Sequence, residues 1–93
     1  MPRILRLPVK REYFNQIKAG TKTEEYRIVK EYWGKRIVKL YDEVWITLGY
    51  PSSNETDKII KFKWTGYEIK KITHKEFGNK EVEVYAIKLE ERI

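Results

Sequence analysis

The sequence predicts a small α+β domain that is mainly β: five to six short strands, one main helix between the first two, and a small closed or half-open barrel. Three observations carry this. The chain has 93 residues, the size of one domain, so residues 1–93 read as a single unit. Apolar residues alternate with polar ones over most of the chain, and one clear segment follows helical spacing. Short alternating runs recur with turn residues between them, as they do in small barrels.

The elements follow in order. "RILRLPVK" reads as a strand, with Leu5, Leu7 and Val9 on one face and Arg6 and Pro8 on the other. Pro8 has no N–H to give a ladder, which marks an edge strand or a strand end. "KREYFNQIKAG" reads as the helix: Tyr13, Phe14 and Ile17 sit at helical spacing and Gly20 terminates it. In "KTEEYRI", Tyr26 and Ile28 share one face, and Thr23, Glu25 and Arg27 share the other. "VKEYWGKRIVKLYD" is ambiguous, because Trp33, Ile37 and Leu40 fit a helical turn that Gly34 weakens.

"EVWITLGYP" is a clear strand, with Val44, Ile46 and Leu48 pointing one way, and "SSNETD" is a polar loop. "KIIKFKWTGYEIKKIT" reads as one long strand whose phase changes at Gly66, as a β-bulge would require. "EVEVYAIKLEE" carries apolar residues on both faces, which predicts a central strand.

The net charge is +6, with a pI near 9.5. It is unevenly spread: residues 1–40 hold 11 Lys/Arg against 4 Asp/Glu. Tyr13, Phe14, Tyr26, Tyr32 and Trp33 are interleaved with that charge. A basic surface with aromatics suits a polyanion whose bases can stack, above all single-stranded RNA. The same composition fits a solvated surface over an aromatic core. The chain has no cysteine and one histidine, His74, so no thiolate or multi-histidine metal site is expected, nor any cofactor. No run is long and apolar enough to span a membrane, and the first residues are too charged for a secretory signal. A cytoplasmic protein is expected. A monomer is expected too, because Pro8 and the nearby arginines discourage strand pairing between copies.

The segment "AGTKTEEYR" concentrates charge where the helix ends and a strand begins. Glu25 and Arg27 lie two apart on a strand and so project together. Arg27 offers a planar fork for phosphate or a base edge, and Lys22 a compact cation. Glu25 either holds these cations or acts as a general base. As exposed ion pairs the same charges would be worth only ~0–1 kcal/mol each.

"YFNQIKAGTKTEEYR" resembles the signature of the ASCH domain family: an aromatic-rich helix followed by Gly-x-Lys-x-x-Glu-x-Arg, here Gly20, Lys22, Glu25 and Arg27. "YDEVWITLGYP", "TGYEIKKITHKEF" and "VEVYAIKL" are similar to stretches of small bacterial and phage members, so the resemblance covers most of the chain. It implies a PUA-like barrel and a cleft lined by Lys22, Glu25 and Arg27 that binds RNA or a modified nucleotide. Some members hydrolyse acetylcytidine and another group is described as ribonucleases, which implies a small hydrolase as the alternative. The family's amidohydrolases use a lysine, a threonine and a glutamate. Lys22 matches the lysine, Glu25 stands where the threonine would be, Thr23 is adjacent, and Glu76 is the candidate glutamate. A protein-interaction module with a basic face is the third reading.

Further candidates lie outside the motif. Tyr32, Lys35 and Arg36 are placed to stack a base and hold its phosphate, beside a Trp33 expected to cap the barrel end. Lys61 and Lys63 share an outer strand face as phosphate contacts or as solvated lysines. His74, in a loop after Thr73, is a ligand contact or a capping residue.

Overall fold

Strand periodicity decides which residues are buried. In the computed structural model, which describes residues 2–93, the elements are β1 (Ile4–Val9), α1 (Arg11–Ala19), β2 (Glu24–Ile28), α2 (Glu31–Ile37), β3 (Glu43–Leu48), β4 (Ile59–Lys63), β5 (Tyr67–Thr73) and β6 (Glu81–Lys88). They form two three-stranded sheets, ordered β1-β3-β4 and β2-β6-β5. β1 runs parallel to β3, and the other ladders are antiparallel. The α+β, mainly β expectation holds.

The inward positions are those the alternation marks. Leu5 and Leu7, Val44 and Ile46, and Ile60 and Phe62 are buried from the first sheet. Tyr85 and Ile87 of β6 meet them from the second, with Phe14 and Ile17 of α1 and Ile37 of α2 closing the same core. Each such side chain contributes roughly 1.5–3 kcal/mol of burial. β6 is the central strand of its sheet, with Val84 to Ile87 all buried, as its two apolar faces predict.

The sequence expectation needs three corrections. The run from Lys58 to Thr73 is two strands rather than one bulged strand: β4 and β5 belong to different sheets and break at residues 64–66. Gly66 takes φ +100° at this corner, a conformation open to glycine and strained for other residues. Aromatic rings pack the corner, with Trp64 between Tyr41 at 5.2 Å and Tyr67 at 6.5 Å between ring centroids. The ambiguous segment contains a second helix, α2. Its Gly34 lies where a Cβ would come within 3.2 Å of the Tyr85 hydroxyl, so close packing explains the residue that weakened the helical reading.

The third concerns closure, which the sequence left as closed or half-open: among the described residues the strands do not form a closed barrel. On one side the tail after β6 joins the sheets. Lys63 N–H donates to Glu91 O at 2.8 Å and Ile93 N–H to Lys61 O at 3.0 Å. On the other side β1 and β2 are both free edges, with no ladder between them among the described residues. Arg27 of β2 reaches across that gap to Pro8 O of β1 at 3.0 Å.

Candidate functional site

The open side of the molecule is where the motif sits. α1 ends at Gly20 (φ +82°), and the chain folds back so that the N–H groups of Thr21 and Lys22 both donate to Gln16 O, at 3.0 and 3.2 Å. This turn sets Lys22 at the entry to β2. β2 then pairs with β6 through Glu25 opposite Ile87 and Arg27 opposite Tyr85, and Glu25 and Arg27 line the gap.

Glu25 is 6% exposed, the one carboxylate in the buried set. Its carboxylate binds Arg27 Nη1 on one oxygen and lies 3.6 Å from Lys22 Nζ on the other. The side chains of Lys22 and Arg27 are only 12% and 15% exposed. Arg27 also donates to Tyr26 O at 2.9 Å and across to Pro8 O of β1 at 3.0 Å. Each cation faces aromatic rings. Lys22 Nζ is 4.4 Å from the Tyr26 ring centre and 5.6 Å from that of Tyr13, and Arg27 Cζ is 5.1 Å from Trp33. Contacts of this kind are worth roughly 0.5–2 kcal/mol, more as water is excluded. They hold the cations where the carboxylate alone neutralises only one of them.

These residues line a cavity of about 410 Å³, within the usual range for small-molecule sites. The opposite wall comes from α1 and from the turn after β5. Tyr13 donates its hydroxyl to Glu76 Oε1 at 3.1 Å, and Lys10 Nζ reaches the same carboxylate at 3.0 Å. His74 Nδ1 accepts from Glu76 N–H at 3.1 Å, which caps the 3-10 turn Lys75–Phe77. The His74 ring lies 5.6 Å from Tyr13 and 6.1 Å from Phe77, so three rings make one wall.

The electrostatics follow from these contacts. The hydrogen bond from Lys10, and then that from Tyr13, hold the Glu76 carboxyl below its ordinary value. Burial pushes the Tyr13 phenol up, and the bond to Glu76 adds to this. On the outer side of β2, burial acts to raise Glu24. Hydrogen bonds from Lys70 at 2.7 Å and Tyr26 at 3.1 Å outweigh it and leave the carboxyl low. Tyr26 is raised by burial and by Glu24.

The cavity gathers Lys22, Glu25, Arg27, His74 and Glu76 from the residues expected at sequence level. Thr23 is not on its walls; its carbonyl accepts from Leu89 N–H at 2.9 Å. Gly20 shapes the turn and does not line the cavity. Tyr32, Lys35 and Arg36 lie on α2 away from it: Tyr32 is 51% exposed under the Arg36 guanidinium, and Lys35 pairs with Glu31 at 3.1 Å. Lys61 and Lys63 are exposed on β4, in the other sheet, with Lys61 Nζ 4.2 Å from the Trp45 ring.

Sequence reasoning did not place Lys10, Tyr13, Tyr26, Lys30, Trp33 or Phe77 in the site, yet all line it. The interleaving of rings with cations was their one signal, and it does not separate cavity wall from core. Among the described residues no three His, Cys, Asp or Glu side chains converge as a metal site needs. Among these residues no helix is long and apolar enough to cross a membrane. No family model, no curated protein and no solved structure matches this chain.

Proposed function

We propose that the cavity between β1 and β2 binds RNA or a modified nucleoside or nucleotide. One observation carries the reading: two nearly buried cations, Lys22 and Arg27, flank the buried Glu25 on the wall of a cavity that also presents aromatic rings. Cations next to stacking surfaces are what a nucleotide needs, because its bases offer π faces and its backbone offers oxyanions. The reading agrees with the resemblance of Gly20, Lys22, Glu25 and Arg27 to the ASCH signature and with the net charge of +6.

A second reading is a hydrolase of modified nucleosides or RNA. It is favoured by Glu76 opening onto the same cavity as Lys22 and Glu25. A carboxylate there would draw a proton from water, and the Lys22 ammonium would steady the oxyanion formed on the attacked carbonyl or phosphoryl group. Thr23, outside the cavity, has no part in this version.

The test is incubation with a nucleoside panel that includes acetylcytidine and with mixed single-stranded RNA. Products are read by chromatography, and binding by titration at two salt concentrations. Salt-sensitive binding that Lys22→Ala abolishes, without turnover, supports the recognition cleft. Turnover lost in Lys22→Ala or Glu25→Ala establishes the hydrolase. Neither binding nor turnover returns the basic face to a protein-interaction module.

A further inference from the structure

The cavity carries more positive charge than its own carboxylates neutralise. Four cations line it (Lys10, Lys22, Arg27 and Lys30) against two carboxylates, Glu25 and Glu76. Lys10 and Glu76 pair with each other at 3.0 Å. Glu25 is shared between Lys22 and Arg27, which leaves one surplus charge in a nearly buried place. Lys30 is exposed at the rim and makes no ion pair among the described residues, which adds a second.

The donors are also underused. Among the described residues Lys22 Nζ makes no hydrogen bond: its nearest carboxylate oxygen is 3.6 Å away, and its other neighbours are two tyrosine rings. An ammonium has three donors. Arg27 commits three N–H groups, to Glu25, Tyr26 O and Pro8 O, and a guanidinium has five. No buried side-chain polar atom lacks a partner among the described residues, so the Lys22 ammonium opens onto the cavity, where its free donors suit a ligand that supplies oxyanions.

We propose that the ligand is a nucleoside phosphomonoester, with its phosphate on Lys22 and the two uncommitted N–H groups of Arg27. Its base then lies against the wall of Tyr13, His74 and Phe77. This rests on the nucleotide-binding reading and narrows it. A phosphomonoester carries about −1.5 to −2 charge near pH 7, which matches the two surplus positive charges. An internal phosphodiester carries one negative charge and leaves one surplus cation unneutralised. The neutral nucleoside leaves both. The phosphomonoester can be a free mononucleotide or the phosphorylated end of an RNA chain, and both present the same group to the site.

The experiment is calorimetric titration of the whole chain at fixed salt with four ligand sets: the common nucleosides and acetylcytidine, their 5′- and 3′-monophosphates, a dinucleoside monophosphate with an internal diester only, and short RNA with and without a 5′-phosphate. Inorganic phosphate is run as a control. Lys22→Met keeps the Glu25–Arg27 pair, and the exposed rim variant Lys30→Met leaves the interior untouched. The expected result is a monophosphate that binds at least about tenfold more tightly than its nucleoside, since a charged hydrogen bond is worth about that factor. The gain should largely vanish in Lys22→Met and shrink in Lys30→Met. Tight binding of 5′-phosphorylated RNA, with weak binding of the free mononucleotide, supports the same chemistry and identifies the RNA end as its source. Equal binding of nucleoside and monophosphate, or binding of the diester as tight as the monoester, overturns the inference and leaves the nucleotide-binding reading standing. No binding by any ligand overturns both.

Discussion

Arg27 of β2 donates a hydrogen bond to the carbonyl oxygen of Pro8 in β1 at 3.0 Å, linking edge strands of two sheets that share no ladder among the described residues. The proline and the arginine explain each other. Pro8 has no N–H to offer a neighbouring strand, so β1 ends the sheet there, and its free carbonyl finds a side-chain donor instead. Where a barrel would place another backbone, this chain places Lys22, Glu25 and Arg27, and the cavity opens between them.

Because Arg27 makes its bonds with separate arms of one planar fork, lysine cannot replace it. Arg27→Lys is expected to lower stability by about 2 kcal/mol, the scale for a charged hydrogen bond left unmade. Urea unfolding followed by far-UV circular dichroism measures this. A change below about 0.5 kcal/mol, the size of an ordinary surface substitution, would show that the sheets hold together without this link.

Glu25 keeps two nearly buried cations apart in charge but together in space. Glu25→Ala is expected to cost about 3 kcal/mol, because removing one partner of a buried pair leaves the other uncompensated. Adding Lys22→Met to it should recover part of that loss, since one of the stranded cations is gone. A double-mutant cycle reads the coupling directly. Strict additivity of the two changes would mean that the 3.6 Å pair carries no energy.

The shifted groups set the pH range of stability. Glu24 and Glu76 titrate below their ordinary value. Their contribution is therefore present above the unfolded carboxylate value, about 4.3, and is lost as pH falls through the lower folded values. Tyr13 and Tyr26 titrate above theirs. Theirs is present below about pH 10 and is lost as pH rises through the folded values. Thermal midpoints should form a plateau bounded by these two limbs. Glu24→Gln should flatten the acid limb and Tyr26→Phe the alkaline one, and unchanged limbs in both variants would refute the assignment.

Trp33 sits face-on to Arg27 at 5.1 Å while also packing on the core. Trp33→Leu keeps much of the apolar bulk and removes the ring. Nucleotide affinity is expected to fall by about 1–2 kcal/mol, the scale of one stacking or cation–π contact, with the unfolding midpoint changed much less. Equal losses of affinity and stability would make Trp33 a core residue only.

Much of the fold is legible in the sequence. Leu5, Leu7, Val44, Ile46, Ile60 and Phe62 declare their inward face by simple alternation, and all six are buried. Tyr13, Phe14 and Ile17 mark the buried stripe of α1 by helical spacing. The doubly apolar run of β6 marks it as central. Such patterns are local, set by the two-residue and 3.6-residue periods of the backbone. The corner at Gly66 escaped because a phase change looks the same whether a strand bulges or leaves its sheet. α2 stayed ambiguous because the reason for Gly34, the Tyr85 hydroxyl, lies far along the chain.

The site divides along the same line. Gly20, Lys22, Glu25 and Arg27 stand out in sequence because their charges alternate over a few positions at an element boundary. The amino-acid order alone determined that Glu25 and Arg27 share a face of one strand. Only the tertiary structure decided that this face turns inward, that Pro8 and Glu76 meet it from distant segments, and that Lys61 and Lys63 do not. Which side of a strand is wet depends on what packs against it. Here β1, α1 and the turn at His74 are brought to the edge of β2 by core burial elsewhere, and no local period along the chain encodes that meeting.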